Sequence, residues 1–403
     1  MRLKNLTYTL AAVALFALAA CSTTPEVAEG EFLIRGHFGN IPDSAKINIF
    51  RTEGNLGIQV AQDTIFNGSF ELRGEVPLEG EHRFNITGQG EGFESRYYEL
   101  WLSSGDYVEI TGETALNADW RVKSRSSMQR SHTKFLDSHR EVSLELGALS
   151  AEEDVIMQKV YAAMRNQEEY SQYRAPRDSI RALQAPIRTR MDIEQLEYMQ
   201  RAKVDDYWIY RLSRFANSLD YESDSVVVSM IKGLESRIPK SRLETPEVET
   251  ILAHMYPPVA IGKGDMLPDV EFFDAEGASH SLSEFRGKYI LLDFFSRGCG
   301  PCIMALPEMQ KVSVEYADKL EVVSISSDNK EMWLEFLASD QAKDSTYHHW
   351  NELVAVPQLY LALRVRGIPS FVVVDPEGRI EKVWSGYYNG YIRKQLPKQI
   401  KAK

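Results

Sequence analysis

Three cysteines in 403 residues rule out the disulfide scaffolds that staple small exported folds. Basic residues are outnumbered, 46 against 58 acids, for a formal net charge of -12, and no long basic run occurs. A chain of that sign is repelled by phosphate backbones, so nucleic acid is not an expected partner. Beyond the first twenty residues there is no apolar run long enough to cross a bilayer. No G-x-G-x-x-G occurs, so no nicotinamide or flavin fingerprint marks an electron source carried by the chain itself, and no cofactor is expected. What remains is ordinary for a globular protein, 43% hydrophobic and 26% charged, in a chain long enough for more than one folded unit.

The first twenty residues stand apart. Arg2 and Lys4 precede an uncharged, mostly apolar run from Leu6 to Ala20, the pattern of a secretory signal and too short for a membrane span. The run ends in Leu18-Ala19-Ala20-Cys21, which resembles the lipobox of bacterial lipoproteins. That resemblance implies cleavage before Cys21 and lipidation of its sulfur. The chain would then be anchored in the cell envelope, facing the periplasm, at the outer rather than the inner membrane. An ordinary signal peptide followed by a chance cysteine is the alternative. Residues 21–30 read as a lipidated, flexible tether. If Cys21 is lipidated, only Cys299 and Cys302 remain as thiols, and an exported protein that keeps one close pair keeps it for chemistry.

Three regions follow. From 31 to 118, short alternating segments such as EFLIRGHF, AKINIFRT and DYVEITG predict a small antiparallel sandwich or barrel. DTIFNGSFELRG (63–74) reads as a hairpin turning at Asn67-Gly68. This region resembles the β-rich domain of unknown role that precedes thioredoxin-like domains in some bacterial lipoproteins. From 119 to 256 the chain reads as helices punctuated by Pro176, Pro186, Pro239 and Pro246, and Trp208, Leu212, Phe215 and Leu219 mark one apolar face. Such a face is core, a ligand surface or a homodimer contact; burial statistics favour core. From 257 to 403, KYILLDFF, a helix after Cys302 kinked at Pro307, LEVVSISS, KEMWLEFLAS and the pair SFVVVD and RIEKVWSG around Pro376-Glu377-Gly378 predict a partly parallel α/β layer. The fold class is therefore multi-domain α/β.

Two cysteines three apart in FFSRGCGPCIMALPE could form a redox couple or half of a zinc site. The stretch from GKGDMLPDVEFF to GCGPCIMALPEM, and the later RVRGIPSFVVVDPEGRIEKVWSG, resemble the two halves of thioredoxin-fold proteins of the TlpA/ResA type. The resemblance implies a thiol–disulfide oxidoreductase with Cys299 as nucleophile at a helix N-terminus, where free N–H groups and the helix dipole favour a thiolate. Cys302 would resolve the mixed disulfide, and Gly300-Pro301 would lie between the two. Asp293 matches the buried acid of thioredoxin, which takes the resolving thiol's proton, and burial should raise its pKa; capping of nearby backbone is the alternative. The ResA-type glutamate three residues past the second cysteine is here Ala305. Pro369 matches the family's cis-proline, and Ile368 before it would offer backbone groups to a substrate strand. Gly298 replaces the family's usual tryptophan, a change that either opens the surface beside Cys299 or is neutral. Arg297 would favour the thiolate if its side chain lies near.

Peroxidase chemistry is a rival reading: Ser296 sits three before Cys299, but Leu292 stands where that class needs proline. Zinc would need two further ligands, and His348 and His349 show no ligand spacing, so no metal is expected. A non-catalytic lipoprotein binding a partner through its β-rich region is a third reading. Gly300-Pro301 and Asp293 resemble thioredoxin, favouring a reductase over an oxidase. The implied partners are disulfide-containing exported proteins and a membrane electron donor.

Overall fold

A computed structural model describes residues 25–401 except 54–55, 91–92, 94–95, 167, 220–223, 344 and 352–356; Cys21 and the leader lie outside the described residues. Strands β1 (Glu31–Phe38), β2 (Lys46–Glu53), β3 (Leu56–Thr64), β4 (Ser69–Glu75), β5 (His82–Gln89), β6 (Tyr98–Leu102), β7 (Asp106–Gly112) and β8 (Arg121–Lys123) make two four-stranded sheets, ordered β4-β1-β7-β8 and β3-β2-β5-β6. Alternation sends Phe32, Ile34, Ile47, Ile49, Phe84, Ile86, Val108 and Ile110 into one shared core.

Two details depart from the expectation. The β1–β7 pair is parallel, so the sandwich is not wholly antiparallel. The Asn67-Gly68 turn forms, with φ of 48° and 70°, but no hairpin extends from it. Only Phe66 and Ser69 pair across the turn; β3 then pairs with β2, and β4 with β1 in the other sheet. The Asp63 carboxylate accepts from the Glu71 amide at 2.8 Å, partnering a donor at the point where the strands part.

The middle region contains α1 (Ser127–Asp137), α2 (Arg140–Arg165), α3 (Arg174–Arg201), α4 (Asp206–Ser218), α5 (Ser225–Gly233) and α6 (Pro246–Met255). Ser126, Asp205 and Thr245 cap α1, α4 and α6 by accepting backbone N–H bonds. The apolar face of α4 is core: Trp208, Leu212 and Phe215 are buried, and Leu219 packs on them just past the helix end. Pro186 does not end a helix; it lies inside α3, whose 28 residues run through it. The backbone bond lost at Pro186 falls in a mostly exposed stretch of α3, while Leu196 and Met199, nearer its C-terminal end, bind the helix to the core. Trp101 of β6 joins this helical core rather than the sandwich core, so the two regions share an apolar boundary.

The C-terminal region holds β9 (Glu271–Phe273), β10 (Ser279–Ser281), β11 (Tyr289–Phe295), α7 (Gly300–Glu315), β12 (Leu320–Ser326), α8 (Lys330–Leu337), β13 (His348–Asn351), α9 (Pro357–Ala362), β14 (Ser370–Val374), β15 (Ile380–Ser385), α10 (Tyr391–Gln395) and α11 (Lys398–Lys401). Its seven-stranded sheet is ordered β10-β9-β13-β12-β11-β14-β15, with β11 parallel to β12 and antiparallel to β14. Apolar cores cover both faces of β11, which explains its unbroken hydrophobic run. As the helix prediction required, α7 contains Pro307. No helix among the described residues is long and apolar enough to cross a membrane.

Candidate active site

β11 is an interior strand, between β12 and β14, and the chain leaves its C-terminal end through a tight loop into α7. Cys299 is the N-cap of α7; its sulfur accepts from the Cys302 amide at 3.2 Å. The two cysteines are joined as a disulfide. Cys302 is buried among Phe295, Leu306, Trp333 and Phe336, whereas Cys299 is half-buried at the edge of that cluster. Gly300 and Pro301 form the first turn of the helix, where a missing proline N–H leaves no bond unmade.

The loop before Cys299 is fixed by a residue that sequence reasoning missed. Asp328, buried just after β12, accepts from the Ser296 hydroxyl and the Arg297 amide, both at 2.7 Å. The Ser296 oxygen in turn accepts from the Gly298 amide at 3.3 Å. Asn351 of β13 ties down the Asp328 carbonyl at 2.9 Å. The available signal was position: polar residues at the carboxyl ends of adjacent parallel strands converge at such sites. Ser296 is thereby a loop brace, and the Arg297 guanidinium pairs with Glu335 of α8. Gly298 lies half-buried beside Cys299 with no side chain to cover it.

Asp293 is 1% exposed. Its strand neighbours Leu291 and Phe295 pack against α7, so alternation puts Asp293 on the same face, beneath the helix that carries Cys302. The Ser324 hydroxyl donates to Oδ2 at 2.8 Å, and Oδ1 has no hydrogen-bond partner among the described residues. Burial pushes the carboxyl up to about 7, with the Ser324 bond pulling the other way. The Ile368–Pro369 bond is cis, and Ile368 packs on the Cys302 cluster. The structure therefore brings Cys299, Cys302, Gly298 and Ile368 to one end of the sheet, with Asp293 on the face that α7 covers. His349 is half-buried, and its Nε2 lies 2.6 Å from the Ser345 hydroxyl. Among the described residues no group of three His, Cys, Asp or Glu is placed to hold a metal.

This geometry belongs to a thioredoxin-like domain. Residues 287–380 match the family described as Thioredoxin-like. The relatives are more particular. Thioredoxin-like protein YneN of Bacillus subtilis is 40% identical over 68 residues, 17% of this chain and 40% of that protein. Thiol-disulfide oxidoreductase ResA of Oceanobacillus iheyensis is 26% identical over 146 residues, 34% of this chain and 74% of that protein. ResA of Geobacillus thermodenitrificans is 25% identical over 32% of this chain and 71% of its own. Among solved structures, the thioredoxin domain of a thiol-disulfide oxidoreductase from Bacteroides vulgatus is 25% identical, with a TM-score of 0.30, covering 34% of this chain and all of that one. The chain thus spans less than half of YneN and about three quarters of each ResA, and each of these matches takes in about a third of this chain or less.

Proposed function

We propose that this protein is a thiol–disulfide oxidoreductase that reduces disulfides of exported proteins through Cys299 and Cys302. The observation that carries the reading is the pairing of a helix-capping, half-buried Cys299 with a buried Cys302 over a buried acid of raised pKa. In the reduced protein, the Cys299 thiolate attacks one sulfur of the substrate disulfide; that bond breaks and the other sulfur leaves as a thiolate. Cys302 then gives its proton to the Asp293 carboxylate and attacks the Cys299 sulfur, breaking the mixed disulfide and releasing the second substrate thiolate. Two electrons pass to the substrate, and the protein is left with the Cys299–Cys302 disulfide. A carboxyl poised near 7 is suited to that proton transfer. Gly298 leaves the approach to Cys299 open, while Ile368 and Pro369 form the wall along which a substrate strand lies.

Anchoring through a lipid on Cys21 would hold the couple in the cell envelope, and a membrane electron donor would return it to the dithiol. Replacing Cys302 with Ser should trap mixed disulfides on Cys299, visible as thiol-sensitive adducts by mass spectrometry. Wild-type protein and the Cys299→Ser variant should trap none. An untrapped Cys302→Ser protein would remove the mechanism. The midpoint potential in graded thiol–disulfide buffers sets the direction: a value near -270 mV makes the protein a reductase, and one near -120 mV a disulfide donor.

A further inference from the structure

Far from the cysteines, a cavity of about 780 Å³ opens where the outer face of the β3-β2-β5-β6 sheet meets α1 to α4. Tyr97, Phe135 and Met191 give it apolar walls, and Arg83, Arg96, Arg211 and Arg214 line it with guanidinium groups. Glu99 is the one carboxylate among the described lining residues, and it is already held by Arg83 and the Tyr210 hydroxyl. Two histidines add no charge at neutral pH: burial first, then the Arg211 charge, holds His132 well below its ordinary range and His139 at about 4. His139 is also the N-cap of the 26-residue α2, and its side chain caps no backbone N–H, so the positive end of that helix borders the same space. Asp192, outside the lining, is close enough to feel Arg188 and Arg211.

Arg211 is the centre of the cavity's chemistry. Its Cζ lies over the Phe135 ring, 4.3 Å from the centroid, and over the Phe215 ring at 5.2 Å, so two cation–π contacts hold the guanidinium in place. Nη2 donates to Gln195 at 3.3 Å, and the buried Nε has no partner among the described residues. A guanidinium so placed keeps donors for a planar, two-oxygen acceptor. We propose that this cavity is a binding site for a small organic carboxylate with a flat apolar body. The carboxylate sits on Arg211 in the field of Arg96, Arg214 and the α2 terminus, and the body lies against Tyr97, Leu136 and Met191. The volume suits a ligand of drug-like size.

The test uses the whole chain and 2-naphthoate, titrated by calorimetry at low salt, with 2-naphthalenemethanol as the uncharged twin. Saturable one-to-one binding of naphthoate is expected, with the alcohol at least about tenfold weaker, since a hydrogen bond to a charged group is at stake. Arg211→Gln should lose about tenfold in affinity. Arg214→Gln, at an exposed position, should lose severalfold and guards against a folding artefact. The exposed Lys382→Gln, on the distant β15, should change nothing. Equal binding of the alcohol, unchanged affinity in both arginine variants, or no heat at millimolar naphthoate would each overturn the proposal. Full displacement by inorganic phosphate would also overturn it, by reassigning the cavity to phosphate.

Discussion

Asp293 carries the clearest consequence at the scale of a single residue. A carboxyl raised from 3.8 to about 7 in the folded state binds a proton that the unfolded chain has already released. Between those values the native state holds more protons, so its contribution to stability is complete below pH 4 and is lost as pH climbs through 7. The full swing is on the order of 4 kcal/mol. Asp293→Asn keeps the acceptor for Ser324 and removes the ionisation. Its unfolding free energy in urea should match wild type near pH 4 and exceed it by a few kcal/mol at pH 8. The same variant should slow release of a mixed disulfide by removing the proton acceptor. A pH-independent difference between the two proteins would deny Asp293 its burial-shifted charge. At this scale the cysteines, Asp293 and Pro369 were legible because each sits in a motif of fixed spacing. Asp328 was not, because its partners Ser296 and Arg297 are some thirty positions away and meet it only once β11 and β12 lie side by side.

Turns and helix ends show the same division at the scale of elements. Gly68 and Gly277 both have positive φ, 70° and 87°, but only Gly68 is crowded: a Cβ there would stand 2.3 Å from the Phe38 carbonyl oxygen. Gly277→Ala should cost about 1–2 kcal/mol of backbone strain alone, and Gly68→Ala clearly more, measured as paired denaturant midpoints. The glycine turn was readable locally, whereas the partners of the strands it joins were not. β3 and β4 look like a hairpin to any local rule; β2 and β1 outcompete that pairing with seven or more register pairs each. Glu308 is a second long-range device. From α7 its carboxylate accepts from the Gly390 and Arg393 amides at 2.9 and 2.8 Å and from the Tyr387 hydroxyl at 3.0 Å, tying down the start of α10. Glu308→Gln turns an acceptor into a donor facing donors and should cost about 2 kcal/mol. Faster hydrogen exchange at the Arg393 amide would report it, with the β11 amides unchanged.

For the molecule as a whole, the three sequence regions reduce to two mechanical units. Trp101, on a sandwich strand, is 3% exposed and sits 5.4 Å from both Tyr207 and Tyr210 of α4, so its side chain, with the Arg83–Tyr210–Glu99 hydrogen bonds beside it, ties the sandwich to the helices. The C-terminal domain meets this unit mainly through α6 against α9. Trp101→Ala should destabilise the first unit by about 3–5 kcal/mol and leave the transition of the second in place, seen as one shifted and one fixed melting step. A single shifted transition would show the units to be coupled more tightly than their contact suggests. Composition announced the change of texture between regions, but no local pattern could reveal that a tryptophan from one would complete the core of the next.

The parallel β1–β7 pair also sets a timetable. As the chain emerges N-terminus first, β1 gains β4 within a few dozen residues, but its other neighbour exists only once Gly112 has followed. The Trp101 socket waits longer still, for α4. A chain that folds as it emerges from an export pore therefore exposes half-finished sheet edges until α4 has come through and the first unit can close. That interval is when a holding chaperone on the far side of the membrane matters most to this protein, and slowing passage of the chain after residue 112 should lengthen it without changing the finished fold.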